Sequence, residues 1–262
     1  MFNYKSLRKD IYKNVYKYEL LSEDVYLYDW GNPYTKIKTN FNIEIATFFL
    51  YFLLKTKITP NAITLFSVFW GILGTVMFYL NSKAALLIAL IIFFLKTIPD
   101  HMDGYLARKK NLVSVIGSDL DMWGGSIVTM AFIIGVSIYA FNYTNEIIYL
   151  YFGLIILACR GYDLRKFSKK IKLSKKIKLN EKINSKKNIL QGIFSSFYLA
   201  MKILRFDGRS NYMDIILLLI FFEIYFIDIK LSWIFVWISC FMSIISFIGA
   251  IFLLLKKNRY IK

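Results

Sequence analysis

The chain has 262 residues, 57% of them hydrophobic, and a formal net charge of +17. Apolar residues gathered into long runs between short charged stretches are a membrane composition and exclude an ordinary water-soluble domain. The basic excess argues for lipid over nucleic acid, because the Lys and Arg flank the apolar runs, where anionic headgroups attract them by about 1 kcal/mol each.

Two interfacial helices are expected first. Tyr4, Leu7, Ile11, Val15 and Tyr18 recur at three- and four-residue spacing, with Lys5, Arg8, Lys9, Lys13 and Lys17 between them. That is a basic amphipathic helix suited to an anionic membrane surface. A second helix over about 42–57 is apolar from Ile45 to Leu54 but carries Glu44 and ends in Lys55 and Lys57, which predicts a helix lying along the membrane. The first residues hold no apolar stretch followed by a small-residue cleavage site, so no cleaved signal peptide is expected.

Thr59-Pro60-Asn61 stops one helix and starts the next, since proline is tolerated in a first helical turn and disfavours helix at the residue before it. From there the apolar runs predict membrane helices at about 61–80, 84–108, 113–141, 146–162, 212–228 and 231–255. The expected fold is all-α and integral to the membrane, with six transmembrane helices preceded by amphipathic interfacial helices. The fourth and fifth runs are short, and a four-span arrangement with two buried re-entrant segments stays open. Between them, 165–187 repeats Lys-Lys-Ile-Lys-Leu units, which reads as a basic surface loop or interfacial helix.

Charge placement gives an orientation. Residues 1–58 hold nine Lys/Arg, 105–116 three, 160–210 fifteen, and the tail after 255 four, all on one side of a six-span arrangement. The opposite side receives only Lys83 and Lys230. Lys and Arg collect in cytoplasmic loops, so both termini are expected there. The chain then divides into a cytoplasmic or interfacial segment 1–58, a membrane domain 59–255 and a basic tail 256–262. Cys159 and Cys240 have neither metal-ligand nor redox-motif spacing and read as core filler.

The chemistry-bearing stretch runs from Asp100 to Arg108 and continues from Gly117 to Asp121. Three positions on a helix are about 60° of rotation, so Asp100 and Asp103 share a face. Gly104 and Ala107 leave room beside them, and Arg108 offers a forked cation suited to phosphate. Gly117 and Asp121, four apart, present a second small-residue and carboxylate face. Such oxygen-rich clusters suit Mg²⁺ or Mn²⁺ bridging to phosphates. Carboxylates at the end of a membrane helix are costly unless paired or liganded. The plain alternative is that they face the cytoplasm and pair with Lys96, Arg108, Lys109 and Lys110.

Taken together, Asp100, Asp103, Gly104, Ala107, Arg108, Gly117 and Asp121 form an Asp-x2-Asp-Gly-x2-Ala-Arg-x8-Gly-x3-Asp pattern that resembles the signature of the CDP-alcohol phosphotransferases. The resemblance extends upstream to Pro60, Asn61, Ala62, Ile63 and Thr64 with Gly71, and covers roughly 58–255. It implies transfer of a substituted phosphate from a CDP-alcohol, by default CDP-diacylglycerol, to an acceptor alcohol with release of CMP, in phospholipid or phospho-alcohol synthesis. It implies two divalent ions, Mg²⁺ or Mn²⁺, held by Asp100, Asp103 and Asp121. Gly104, Ala107, Arg108 and Gly117 would hold the cytidine diphosphate. Membrane lipids, the donor and the acceptor are the implied partners, with a homodimer possible and no nucleic acid.

The family pattern continues x3-Asp after Asp121, and that last aspartate is its proposed base; here the position is Gly125. The base is then unassigned: metal-bound water is one option, and the candidate residues are His101, which would point away from the Asp100 face, Asp119, about 160° round the helix from Asp121, and Asp214 near the start of the fifth span. Arg160, Arg165 and Arg209 are candidate acceptor contacts, although the positive-inside pattern alone predicts Arg there. Two other readings stand beside the enzyme: a family member that binds a CDP-alcohol with little turnover because of Gly125, and a membrane transporter.

Overall fold

The computed structural model describes residues 3–21, 33–161, 210–226, 233–234, 236–241, 243–245 and 247–248. Among these residues there are helices and turns and no strand. The helices are α1 (Tyr4–Leu21), α2 (Pro33–Leu53), α3 (Pro60–Leu80), α4 (Lys83–Phe94), α5 (Thr97–Lys109), α6 (Val115–Thr144), α7 (Ile148–Gly161) and α8 (Ser210–Tyr225). Helical backbone returns at 236–241 and 243–245.

Side-chain caps and left-handed asparagines set the boundaries. Thr59 caps α3, its Oγ1 accepting from the Ala62 amide at 3.3 Å, with Pro60 in the first turn where a missing N–H costs nothing. Ser82 and Ser114 cap α4 and α6 in the same way. The turns after α3, α5 and α6 each contain an asparagine at positive φ, Asn81 (49°), Asn111 (56°) and Asn145 (56°), a conformation asparagine tolerates better than most residues.

Among the described residues, three stretches are long and apolar enough to cross a bilayer: Pro60–Leu80 (21 residues), Lys83–Lys109 (27) and Val115–Thr144 (30). The fourth expected span is observed as α7 with 14 residues, about 21 Å of helix, and the fifth as α8 with 16, about 24 Å. The described parts of both are shorter than a hydrocarbon core of about 30 Å. Most of the expected tail helix 231–255, the basic tract 165–187 and the segment 256–262 lie outside the described residues.

The second expected span, 84–108, divides into α4 and α5. The cause is Pro99, which has no N–H to give to the Leu95 carbonyl and whose ring crowds it. That carbonyl instead accepts from the Ile98 amide at 3.0 Å, and the backbone turns at Leu95 and Lys96.

One core lies within the membrane-length helices. Phe78 on α3, Phe93 on α4, and Phe132 and Tyr139 on α6 pack at ring separations of 5.1 to 6.2 Å. Phe152 of α7 and Met213, Ile216 and Ile220 of α8 complete it. A second core joins Leu7 and Ile11 of α1, Ile43, Ala46 and Leu50 of α2, Ile63 of α3, and Ile98, Met102, Tyr105 and Leu106 of α5.

This second core alters the expected role of the amphipathic helices. Two residues of the α1 stripe pack on protein: Leu7 and Ile11 are 2% and 4% exposed against α2 and α5. It is α2 that turns Ile37, Phe41, Phe48, Phe49 and Phe52 outward. α2 also starts at Pro33, earlier than its apolar run implied, because its inner face carries the buried polar residues Lys38 and Asn42. Lys38 Nζ meets both Asp214 oxygens at 2.5 Å, tying α2 to α8. Burial pulls this ammonium below the usual lysine range, and Asp214 opposes the shift.

Ion pairs hold α1 in place. Arg8 Nε donates to both Glu44 oxygens at 2.8 and 2.9 Å, and the Tyr12 hydroxyl donates to Glu44 Oε1 at 2.6 Å. Asp10 accepts from the Tyr105 hydroxyl at 2.8 Å and pairs with Lys109. Hydrogen bonds from Lys109 and then Tyr105 hold the Asp10 carboxyl below the usual carboxylate range, and Arg8 does the same for Glu44. Groups whose folded pKa is lowered stabilise the docked helix above the ordinary carboxylate range and lose that contribution as pH falls through the lowered values. Hydrogen-exchange protection over 4–21 should therefore be intact at neutral pH and fall below about pH 4, ahead of α3 and α6. Equal protection of α1 at about pH 3 and pH 7 would contradict this account.

Candidate functional site

The break at Leu95 and Lys96 starts α5 afresh, and its register sets the site. Asp103 faces inward, 5% exposed, where its Oδ2 accepts from the Thr64 hydroxyl of α3 at 2.6 Å. Asp100, one turn earlier, meets Asp121 of α6, the two carboxyls lying within hydrogen-bonding reach. Asp100 and Asp103 of α5, expected to share a face, and Asp121 of α6 thus line one cleft.

They open onto a small cleft between α3, α5 and α6. Lys96 brings a cation to its wall, Thr64, Ser67 and Thr97 bring hydroxyls, and Gly124, Gly125 and Val128 complete the α6 side. Lys96 attracts Asp100 electrostatically and also reaches Met213 of α8. Asn42 of α2 donates to Thr97 Oγ1 at 2.6 Å from behind the wall.

The wall is narrow on one side because α3 and α6 approach closely. A Cβ added at Gly124 would lie 3.0 Å from Thr64 Cγ2 and 3.3 Å from Val68 Cγ2, and one at Gly71 would lie 3.1 Å from Val128. Thr75 Oγ1 crosses the same seam to the Ala131 carbonyl at 2.7 Å. At Gly125, one residue on, an added Cβ meets nothing within 4 Å.

The remaining motif residues flank the cleft. Arg108 folds back along α5, its guanidinium 3.5 Å from where a Gly104 Cβ would be, which brings its charge within range of Asp103. Gly117 lies beside Asn61 and its own cap Ser114, so the start of α6 packs against the start of α3. Ala107 is half-buried on α5.

The candidate bases are placed elsewhere. His101 is half-buried and feels the Arg108 charge, Asp119 is exposed, and neither lines the cleft. Asp214 is engaged with Lys38 in a pair whose side chains are each 5% exposed. Arg160 falls in the last turn of α7, and Arg165 and Arg209 lie outside the described residues. Thr64, Ser67 and Thr97 were not singled out from sequence as site residues. Two hydroxyls three apart at 64 and 67 in an apolar span were the available signal, because they share one helix face.

The donor set is all oxygen, three carboxylates and three hydroxyls, which fits Mg²⁺ or Mn²⁺ in kind. As the side chains stand among the described residues, no three His, Cys, Asp or Glu groups are gathered tightly enough to enclose an ion.

A family model described as CDP-alcohol phosphatidyltransferase matches residues 57–245. Over 44 residues the chain is 48% identical to a CDP-diacylglycerol–glycerol-3-phosphate 3-phosphatidyltransferase of Rickettsia bellii, covering 17% of this chain and 24% of that protein. Over 67 residues it is 39% identical to an uncharacterized protein of Aquifex aeolicus, covering 26% and 33%. The matched stretches thus span about a quarter and a third of these relatives.

The neighbouring glycines 124 and 125 separate packing from chemistry. Gly124→Val should push α3 from α6 and cost about 1–3 kcal/mol, while Gly125→Ala should leave stability within about 1 kcal/mol. Thermal unfolding of both variants in detergent reads the difference, and equal losses would refute the close seam.

Proposed function

The chain belongs to the CDP-alcohol phosphatidyltransferase family, and from that premise we propose that it transfers a substituted phosphate from a CDP-alcohol to an acceptor alcohol. The observation that carries this reading is the meeting of Asp100, Asp103 and Asp121 on one cleft between helices of membrane-spanning length. In the reaction the acceptor oxygen bonds to the phosphorus bearing the donor alcohol, the bridging oxygen leaves with CMP, and the acceptor gives up its proton. CDP-diacylglycerol is the default donor; a soluble CDP-alcohol with a lipid acceptor is the variant.

Asp100, Asp103 and Asp121 are the residues that would hold Mg²⁺ or Mn²⁺, which when bound neutralises charge on the diphosphate. Thr64 fixes the rotamer of Asp103 by its hydrogen bond. Arg108, folded over Gly104, would bind the donor's phosphates, and Gly117 lets the start of α6 stay close to α3. The acceptor's proton meets no dedicated carboxylate at position 125, and Asp214 is committed to Lys38.

Six spans with cytoplasmic termini and cytoplasmic chemistry remain the proposed topology, supported by the asymmetry of Lys and Arg. A homodimer is proposed on family grounds alone.

A second reading, a CDP-alcohol binder with little turnover, is favoured by the open space at Gly125. One experiment separates the two: CMP release by purified protein with Mg²⁺ or Mn²⁺, CDP-diacylglycerol or a soluble CDP-alcohol, and a panel of acceptor alcohols. Metal- and acceptor-dependent release that falls at least about a hundredfold in Asp103→Asn supports the transferase. Silence in the native chain with turnover in Gly125→Asp, which the open space accommodates, supports the binder. Release that survives Asp103→Asn unchanged refutes the assignment of the cleft.

A further inference from the structure

We propose that α1, which lies outside the family-matched residues 57–245, is a working part of the donor site, with Asp10 and Tyr105 as positioning residues for Arg108. The proposal rests on the reading of Arg108 as a donor-phosphate ligand and adds to it the device that aims this side chain.

The geometry is a three-link chain. Asp10 Oδ2 accepts from the Tyr105 hydroxyl at 2.8 Å and the same oxygen pairs with Lys109. The Tyr105 ring, 2% exposed, is approached by two neighbouring cations, with the Arg108 guanidinium 6.0 Å and the Lys109 ammonium 5.7 Å from its centroid. Asp10 draws Lys109 toward α1. Arg108, whose ring contact is fixed when the Tyr105 hydroxyl is held, turns back over Gly104 toward Asp103.

Two adjacent cations at the end of a helix would otherwise compete for the same anions, and a buried tyrosine without a partner for its hydroxyl would be free to change rotamer. One carboxylate prevents both. α1 can supply it rigidly because Arg8 and Tyr12 clamp the helix to Glu44 of α2, and Leu7 and Ile11 are packed in the core that contains Tyr105. Of the groups facing Asp10, Lys109 and Tyr105 come from α5 and Lys13 from α1 itself.

The test uses the full chain in detergent, with CDP as the binding probe by calorimetry and CMP release for kinetics. The variants are Asp10→Asn, Tyr105→Phe, their double and Arg108→Ala. Tyr105→Phe removes only the hydroxyl and leaves the Asp10–Lys109 pair, so it keeps α1 docked where Asp10→Asn loosens it. Each single variant should raise the CDP Kd and the donor KM about three- to tenfold with kcat within about twofold, and the double should be no worse than the stronger single. On an Arg108→Ala background neither should have a further effect.

Native Kd and KM in both Asp10→Asn and Tyr105→Phe, with binding lost in Arg108→Ala, overturns the positioning role and leaves the proposed function standing. An equal fall in kcat and kcat/KM, tracking a lowered Tm, also overturns it, because that is the mark of a structural contact. Native affinity in Arg108→Ala, or no binding of CDP by the native chain, overturns both.

Discussion

The close seam between α3 and α6 is the constraint on which the site depends. Gly71 and Gly124 let the two backbones approach until Val128, Thr64 and Val68 fill the gap, and further along Phe78 occupies the space beside Gly135. Within a bilayer, where burying apolar surface gives little driving force, such small-residue contacts and interhelical hydrogen bonds do the joining. Thr64 shows how packing and chemistry share one residue. Its methyl rests on Gly124 while its hydroxyl holds Asp103, so the seam also fixes where the inward carboxylate points.

A second layer of helices braces the first at the motif end. α2 reaches the cleft wall through Asn42 and Thr97, and Lys38 and Asp214 tie α8 to α2. A buried ion pair is a poor source of stability, since taking two charges out of water costs about what their attraction returns. What it gives is register: neither α2 nor α8 can slide without leaving a charge unpaired. The outward aromatic residues of α2 face the other way, which makes this helix a boundary between apolar surroundings and the polar base of the bundle.

Much of this was legible from sequence because it depends on spacing alone. The three-residue interval between Asp100 and Asp103, the proline at 60 and the glycine at 117 carry their geometry with them. What was hidden depends on tertiary partners. The packing of Leu7 and Ile11 of α1 on protein was not legible, because periodicity reveals that a face is apolar and not what covers it. The division of 84–108 was readable from Pro99, whose lost hydrogen bond is a local effect, but the apolar run around it outweighed that sign. The commitment of Asp214 to Lys38, 176 positions away in sequence, had no local signature.

Because Pro99 restarts the helix, Asp100 sits in the first turn of α5, and the Lys96 and Thr97 end of that helix opens on the cleft. Aligned peptide dipoles leave about half a positive charge at such an end. An unbroken helix from 83 to 109 would have cancelled that charge inside its own hydrogen-bond ladder. The proline thus places a fixed electropositive pole beside the aspartates of the cleft, and it does so with backbone alone.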